Sequence, residues 1–168
     1  IEPAWAYGIL RAESAWTSDA RSGADARGLM QLLPDTGAAV ARRHGLNWGG
    51  GDTLYDPAIN IALGTRYLAE LAARFSGSPW LASAAYNAGP NRVDQWLAAR
   101  GTLAPALFVA TIPFKETREY VARVMAFSVI YDWRLHGNAV PLTRRLSPIG
   151  QTYGLPDSTT PRRAISCP

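Results

Sequence analysis

Cysteine, charged residues and long apolar runs are all scarce in this chain of 168 residues. The only cysteine is Cys167, so the sequence has no internal disulfide framework, and cysteine usage indicates no cellular compartment. Charged residues make up 18% of the chain, against about a quarter in typical proteins, which excludes a coiled coil or a charged tail protein. The longest uncharged stretch, 75–91, contains two glycines and two prolines, and it therefore predicts no membrane-spanning helix.

The positive charge is concentrated near the C-terminal end. The formal net charge is +4, and four arginines against one aspartate give residues 138–168 a charge of +3, which leaves +1 for residues 1–137. A protein that binds nucleic acid usually carries a stripe of basic residues on one face of its folded domain, so this charge distribution predicts no nucleic-acid binding. The two histidines, His44 and His136, have no partner at a metal-ligand spacing, and the sequence predicts neither a metal nor another cofactor.

The N-terminal residues do not have the pattern of a secretion signal. No charged segment is followed by an apolar one, and the chain begins at Ile1 rather than at methionine. We therefore interpret Ile1 as an internal residue of a longer protein.

The remaining pattern is helical. The chain contains 28 alanines, the strongest helix formers, and no run of alternating β-branched residues long enough for a strand. Prolines, caps and glycines predict helices at 3–16, 28–33, 36–44, 57–75, 79–89, 91–99, 103–109 and 115–135. Gly137 ends the last of them. The sequence therefore predicts an all-α protein with a single helical domain over residues 1–137 and an irregular C-terminal extension over residues 138–168.

Glu13 is the most informative residue. At about 100° per residue, Ile9, Leu10 and Trp16 lie within about 60° of it, so its carboxyl group is in the middle of the helix face that should pack inward. No basic residue lies three or four positions away to form a helical ion pair. Burial raises the pKa of a carboxyl group, which then holds its proton near neutral pH as a general acid requires. The pattern leaves open the alternative that Glu13 lies at the edge of this face and reaches solvent.

Other acidic residues have simpler interpretations. Glu70 has Arg66 and Arg74 four positions away on either side, which is typical of exposed helical ion pairs. Asp56 precedes a helix-starting proline and suits a helix cap. Asp132 has no particular interpretation.

Five short motifs follow one another in a fixed order. They are E-S at 13–14, G-L-M-Q at 28–31, N-I-A-L-G at 60–64, A-Y-N-A-G at 85–89 and P-F-K-E-T-R at 113–118. Over residues 3–136 this order resembles the catalytic domain of soluble lytic murein transglycosylases. Each motif alone is weak, but their order is highly specific. The resemblance implies a lysozyme-like α fold that cleaves the bond between N-acetylmuramic acid and N-acetylglucosamine in peptidoglycan.

The resemblance also implies the residues of the site. The catalytic glutamate of the family falls on Glu13, in agreement with the independent argument from the helix face. The implied substrate-binding residues are Ser22, Gly28, Met30, Gln31, Tyr86, Asn87 and Glu116. Gly28 would let the backbone approach a sugar ring, Met30 would form a pliable wall, and Gln31 would bind sugar hydroxyl or acetamido groups. The residues alone leave a purely structural role open for each position.

The sequence departs from the common family pattern beside the expected groove. Thr17 and Ser18 stand where Asn-Pro is frequent, and Asp25 adds a carboxylate to the loop that precedes the groove. Because aspartate can adopt a positive φ, we expect the turn in this loop to survive. Residues 138–168 match no part of the family pattern.

The mechanism that the resemblance implies needs one carboxyl group and no cofactor. Glu13 protonates the glycosidic oxygen and then takes the proton of the C6 hydroxyl of the same sugar, which closes on C1 and gives a 1,6-anhydro product. Two alternatives stay open. One is a goose-type lysozyme that hydrolyses the bond with water positioned by Asp19 or Asp25, and the other is a peptidoglycan-binding module without catalysis.

The expected partner is a glycan strand of peptidoglycan, bound by a monomer. The periplasm is the expected location because the substrate lies there, and not because of any signal in the sequence. The substrate is acidic through its lactyl and peptide groups, and Arg27, Arg92 and Arg118 are the arginines expected to contact these carboxylates.

Overall fold

The computed structural model describes residues 1–165, and Cys167, whose lack of a disulfide partner was inferred above, lies outside the described residues. Eight α-helices occur in this range: α1 (Pro3–Ser14), α2 (Pro34–Arg43), α3 (Pro57–Arg74), α4 (Pro79–Ala88), α5 (Pro90–Arg100), α6 (Pro105–Ala110), α7 (Lys115–His136) and α8 (Leu142–Arg145). A short 3₁₀ helix, Gly51–Tyr55, precedes α3. Residues 1–165 contain isolated β-bridges but no strand, so the predicted all-α fold is confirmed.

Proline begins most of these helices. It occupies the first position of α1 to α6, where its missing N–H costs no helical hydrogen bond. Asp56 also accepts hydrogen bonds from the N–H groups of Ala58 and Ile59, as predicted for a helix cap. The predicted starts of α1, α3, α4 and α7 agree with the observed ones because these signals lie within one turn of each start.

The core lies where α4 packs against α3, α5 and α7, while α1 runs along α7. All residues of α4 from Pro79 to Ala85 are buried, so this helix is the centre of the domain. Gly8 lets α1 and α7 approach closely, since a Cβ atom there would lie 2.9 Å from both Ser128 Oγ and the Val124 carbonyl oxygen. This close approach brings the C-terminal half of α1 against α7.

Residues 28–33 do not form the predicted helix. The backbone turns through positive φ at Gly28 (74°) and at Gln31 (46°), and isolated bridges pair Arg27 with Arg21 and with Leu32. Two positive φ values cannot be accommodated in a right-handed helix. The helical pattern here was therefore misleading, and this segment is a largely buried loop.

The acidic residue Glu70 also has other partners than predicted. Its carboxylate binds Arg43 and His44 at the end of α2, with an Nε2–Oε1 distance of 2.8 Å to the histidine. Arg66 and Arg74, the predicted partners within α3, bind elsewhere. The prediction was wrong because groups of a neighbouring helix displaced the weak pairs within the helix.

The C-terminal extension is irregular except for α8, and it packs on the helical body. Arg145 is completely buried, with Glu2 and Asp132 as its carboxylate partners. The indole N–H of Trp80 donates to the Ser147 carbonyl over 3.0 Å. No helix within residues 1–165 combines the length and hydropathy that crossing a bilayer requires.

Candidate active site

Glu13 lies near the C-terminal end of α1 and faces α7. The hydroxyl of Tyr120, a buried residue of α7, donates a hydrogen bond of 2.6 Å to Glu13 Oε1. Burial raises the pKa of Glu13 to about 7, against the opposing effect of this hydrogen bond; the negative charge of Glu116 raises it further and Arg123 lowers it. The prediction that burial raises this pKa is confirmed. At neutral pH Glu13 is balanced between donating and accepting a proton.

Three adjoining clefts surround Glu13 and together form a groove. The central cleft, about 270 Å³ in volume, is lined by Glu13, Ser22, Ala24, Ala26, Gln31, Leu33, Tyr86, Asn87 and Glu116. A large cleft of about 610 Å³ shares Glu13 and Gln31 with it. An end cleft of about 290 Å³ shares Gln31, Leu33, Tyr86 and Asn87 with the central one. Glu13 therefore lies at the junction of the large and the central cleft.

Most of the predicted site residues meet in the central cleft. They are Glu13, Ser22, Gln31, Tyr86, Asn87 and Glu116. The side-chain amide of Asn87 donates to Glu116 Oε1 over 3.2 Å, and Asn87 Oδ1 accepts a hydrogen bond of 2.7 Å from the Thr117 hydroxyl. Asn87 therefore connects the end of α4 to the start of α7 and fixes the position of the Glu116 carboxylate.

A model of the family "Transglycosylase SLT domain" matches residues 1–109, and one of the "Soluble lytic transglycosylase helical domain" matches residues 111–139. This chain belongs to the transglycosylase SLT domain family. The family resemblance inferred from the sequence motifs is thereby confirmed.

Relatives of this SLT domain are considerably longer proteins. The soluble lytic murein transglycosylase of Salmonella typhimurium is 40% identical over 133 residues, which are 78% of this chain and 21% of that protein. An inactive glutamate-to-glutamine mutant of the lytic transglycosylase Slt of Pseudomonas aeruginosa gives a TM-score of 0.81 at 44% identity, covering 84% of this chain and 23% of that one. The 70 kDa soluble lytic transglycosylase of Escherichia coli gives a TM-score of 0.82 at 35% identity, covering 91% and 25%. The chain spans about a fifth of the length of the curated relatives that it matches.

Gly28 and Met30 of the SLT domain lie behind the groove and not in its wall. A Cβ atom at Gly28 would lie 2.1 Å from the Leu54 carbonyl oxygen and 2.3 Å from Asn60 Nδ2, so packing inside the protein requires glycine here. Met30 is completely buried. These placements correct the expectations that Gly28 approaches a sugar ring and that Met30 forms a groove wall.

Gln31 of the SLT domain lines all three clefts. Its side-chain amide donates to the carbonyls of Ala20 and Gly28 over 3.0 and 2.9 Å. Tyr86 donates its hydroxyl to the Met30 carbonyl over 2.8 Å, and burial raises the pKa of Tyr86 well above its usual value. The donors of both side chains thus hold loop 20–31 in place, and the Tyr86 oxygen is left with a lone pair for a ligand.

Ser22 and Asp25 shape the loop that forms one rim of the central cleft. Ser22 Oγ accepts a hydrogen bond of 3.0 Å from the Ala26 N–H. Asp25 has φ 67°, so the turn is retained with aspartate, as expected. The Asp25 carboxylate pairs with Arg27 and Arg21 at 2.9 and 2.6 Å, which lowers its pKa. It lines a further concavity that shares Ala24 and Leu33 with the central cleft but does not include Glu13.

Asn60 is a site-building residue whose role the sequence reasoning missed. It is completely buried, and its amide donates to the carbonyls of Arg27 and Leu54 over 2.9 and 2.8 Å. Its Oδ1 accepts a hydrogen bond of 2.7 Å from the Met30 N–H. The signal that could have revealed it is the one that revealed Glu13, namely a polar residue on the buried face of a helix, here beside Leu63 of α3.

The arginines of the groove are mostly not the predicted ones. Of the three predicted arginines, only Arg92 lines the groove, in the end cleft. Arg27 is bound by two aspartates and Arg118 by two backbone carbonyls. The large cleft has three other arginines in its wall, Arg11, Arg21 and Arg123. Among residues 1–165, no group of three acidic, histidine or cysteine side chains is arranged to hold a metal ion.

Proposed function

We propose that this SLT domain cleaves the β-1,4 bond between N-acetylmuramic acid and N-acetylglucosamine without water and leaves 1,6-anhydro ends. The observation that carries this proposal is Glu13, whose pKa of about 7 places a transferable proton at the junction of two clefts. The names of the relatives, which are soluble lytic murein transglycosylases, support peptidoglycan as the substrate. The inactivity of the glutamate mutant from Pseudomonas aeruginosa supports an essential glutamate in that relative.

In the first step, protonated Glu13 donates its proton to the glycosidic oxygen. The bond between this oxygen and C1 of the muramic sugar breaks, and the leaving sugar departs with a neutral hydroxyl group. The acetamido carbonyl of the muramic sugar stabilises the positive charge on C1. The carboxylate of Glu116, held by Asn87, attracts this charge across the central cleft.

In the second step, Glu13 acts as a base. Its carboxylate accepts the proton of the C6 hydroxyl of the same sugar, and the C6 oxygen bonds to C1. Glu13 is thereby reprotonated and ready for another cycle. The Tyr120 hydroxyl supports this step because its hydrogen bond stabilises the carboxylate that exists between the two proton transfers.

The geometry favours this single-carboxylate reaction over hydrolysis by a goose-type lysozyme. Asp25, one of the two candidates to position water, has its carboxylate occupied by Arg21 and Arg27 and does not line either cleft that contains Glu13. Asp19, the other candidate, does not line any of the three clefts.

Digestion of purified sacculi, followed by mass spectrometry of the released fragments, tests the proposal. Lytic transglycosylation gives fragments lighter by one water than hydrolysis does, without a reducing muramic end. A reducing muramic end would instead identify a lysozyme, and strands bound but left intact would identify a binding module. The Glu13→Gln variant should abolish the release of fragments while still binding glycan strands.

We further propose that residues 1–137 form the catalytic unit and that the domain acts as a monomer in the periplasm. Every residue that lines the three clefts lies between positions 11 and 127, which supports this division of the chain. The periplasmic location follows from the proposed substrate.

A further inference from the structure

The groove has opposite charges on the two sides of Glu13. Arg11, Arg21 and Arg123 line the large cleft, and Glu13 is the only carboxylic acid in its wall. The central cleft contains Glu13 and Glu116 and no basic residue. Because residues 1–137 carry a net charge of only +1, this concentration of arginines is a property of the cleft and not of the whole surface.

Two of these guanidinium groups are available to a ligand. Among the residues that the structure describes, Arg11 and Arg123 form neither a hydrogen bond nor an ion pair through their side chains. The guanidinium carbon of Arg11 lies over the ring of Phe127, 5.6 Å from its centroid, and this contact holds the side chain at the cleft wall. Arg21 is already paired with Asp25, at 2.6 Å.

A carboxylate is the ligand that this arrangement suits. Guanidinium groups bind carboxylates through paired, charge-assisted hydrogen bonds, and two of them beside an aromatic wall form a cationic site with an apolar side. In the proposed substrate only the muramic sugar carries a carboxylate, either on its lactyl group or on the peptide attached to it. At about 610 Å³, the large cleft is the roomiest of the three.

Such a site would fix the register in which a glycan strand binds in the groove. Two kinds of sugar alternate along a strand, so a shift by one sugar places the wrong glycosidic bond at Glu13. Contacts with acetamido groups cannot distinguish the two registers, because both sugars carry this group. A contact with the muramic substituent can, because this substituent recurs only at every second sugar.

We propose that Arg11 and Arg123 bind a carboxylate of the muramic substituent and thereby set which bond of the strand stands at Glu13. This inference rests on the proposed function, since it takes peptidoglycan as the ligand. It makes Arg11 and Arg123 determinants of substrate specificity.

Binding of defined strands to the Glu13→Gln protein tests this proposal without turnover. The substitution also excludes any effect of Arg123 through the pKa of Glu13, because the titrating group is absent. Calorimetry would compare three strands. The first keeps its stem peptides, and the second is treated with an amidase so that its lactyl carboxylates are free. The third is prepared from the second by converting these carboxylates to uncharged amides. Arg11→Gln and Arg123→Gln are each added to this background. Arg42→Gln and Arg134→Gln, which remove exposed arginines outside the groove, are the matched controls.

We expect each groove substitution to weaken binding of at least one carboxylate-bearing strand about tenfold, the loss typical of one charge-assisted hydrogen bond. Binding of the uncharged strand should change less than about twofold, as should every strand with the controls. A loss confined to the peptide-bearing strand identifies a peptide carboxylate, and a loss confined to the amidase-treated strand identifies the lactyl carboxylate.

Equal losses on the charged and the uncharged strands would overturn the proposal, and so would unchanged binding of all three. Failure of the proposed function gives a different result, because a wild-type domain that binds these strands with the expected preference but cleaves none of them would contradict only the catalytic role of Glu13.

Discussion

The Tyr120 hydroxyl donates its hydrogen bond to Glu13 Oε1 across the closely packed interface of α1 and α7. Burial stabilises the protonated form of Glu13, whereas this hydrogen bond stabilises its carboxylate, and the two effects leave the pKa at about 7. A side chain that must first give up a proton and then accept one works best with such a balance. The close approach of the helices at Gly8 helps to maintain it.

Replacing Tyr120 with phenylalanine should favour the protonated form of Glu13. The Tyr120→Phe variant loses the hydrogen bond that lowers the pKa of Glu13, so the alkaline limb of its activity should move to higher pH. Its kcat should fall roughly tenfold or more, because the carboxylate needed in the second step loses a charge-assisted hydrogen bond. Rate measurements on soluble strands between pH 5 and 9 test both effects, with Tyr153→Phe, which removes a tyrosine hydroxyl outside the groove, as the control. An unshifted limb would show that Tyr120 does not act on Glu13.

The wild-type domain should lose activity as the pH rises through about 7. The general acid must hold its proton when the substrate binds, and Glu13 releases it with a pKa of about 7. The pH dependence of kcat/KM, which reports groups of the free enzyme, should therefore show an alkaline limb near this value. A rate that stays constant up to pH 9 would contradict the assignment of Glu13 as the acid.

The same carboxyl group should make folding stability depend on pH. Its pKa is about 7 in the folded protein and near 4.5 in the unfolded chain, so between these values only the folded state holds the proton. Stability therefore falls as the pH rises from 4.5 to 7, by an amount on the order of 3 kcal/mol. Glu13→Gln removes this loss, and its Tm should exceed that of the wild type by more at pH 8 than at pH 4.5.

Thermal unfolding at the two pH values provides the measurement. Glu119→Gln is a matched control, because Glu119 is an exposed glutamate of α7. A difference in Tm between Glu13→Gln and the wild type that does not change with pH would mean that Glu13 is ionised in the folded protein already at low pH.

Asn60 should be essential to the stability of the loop behind the groove. Asn60→Ala leaves two buried carbonyls and the Met30 N–H without their partner, which should lower the free energy of unfolding by about 4 kcal/mol. Asn60→Asp should also destabilise the domain, because a carboxylate would face the two carbonyls. Denaturant unfolding measures both, and Asn91→Ala, at an exposed position, should change the stability by less than about 1 kcal/mol.

Arg145 should hold the C-terminal extension on the helical body. Arg145→Met leaves the carboxylates of Glu2 and Asp132 without their buried cation, at a cost of about 3 to 5 kcal/mol in unfolding free energy. Its exposed neighbour gives a matched control, since Arg144→Met should change stability by about 0.5 kcal/mol or less. Denaturant titration of the two variants makes the comparison, and equal effects would show that the buried pair contributes little.

Features encoded within one helical turn could be predicted from the sequence. The prolines and Asp56 marked helix starts, and the position of Glu13 among apolar neighbours indicated its burial and raised pKa. These signals need no knowledge of distant partners. The order of the family motifs placed the groove residues, of which Gly28 and Met30 lie behind the wall.

Features that depend on distant partners could not be predicted in this way. The sequence of residues 28–33 has a local helical pattern, but the segment forms a loop because Asn60, 30 positions away, binds the Met30 N–H. The burial of Asp132 was not predicted because two of its partners, Arg145 and Arg162, lie beyond α7, and only His136 is local. In loop 28–33, the contact with a remote segment outweighs a local helix preference of well under about 1 kcal/mol per residue.

The ion pair between Glu2 and Arg145 joins positions 143 residues apart. During translation, the segment that carries Glu2 leaves the ribosome long before Arg145 is made, so the Glu2 carboxylate lacks this counterion until synthesis has passed the whole groove. A product truncated before position 145 would therefore carry every groove residue but lack the buried cation that pairs with Glu2 and Asp132.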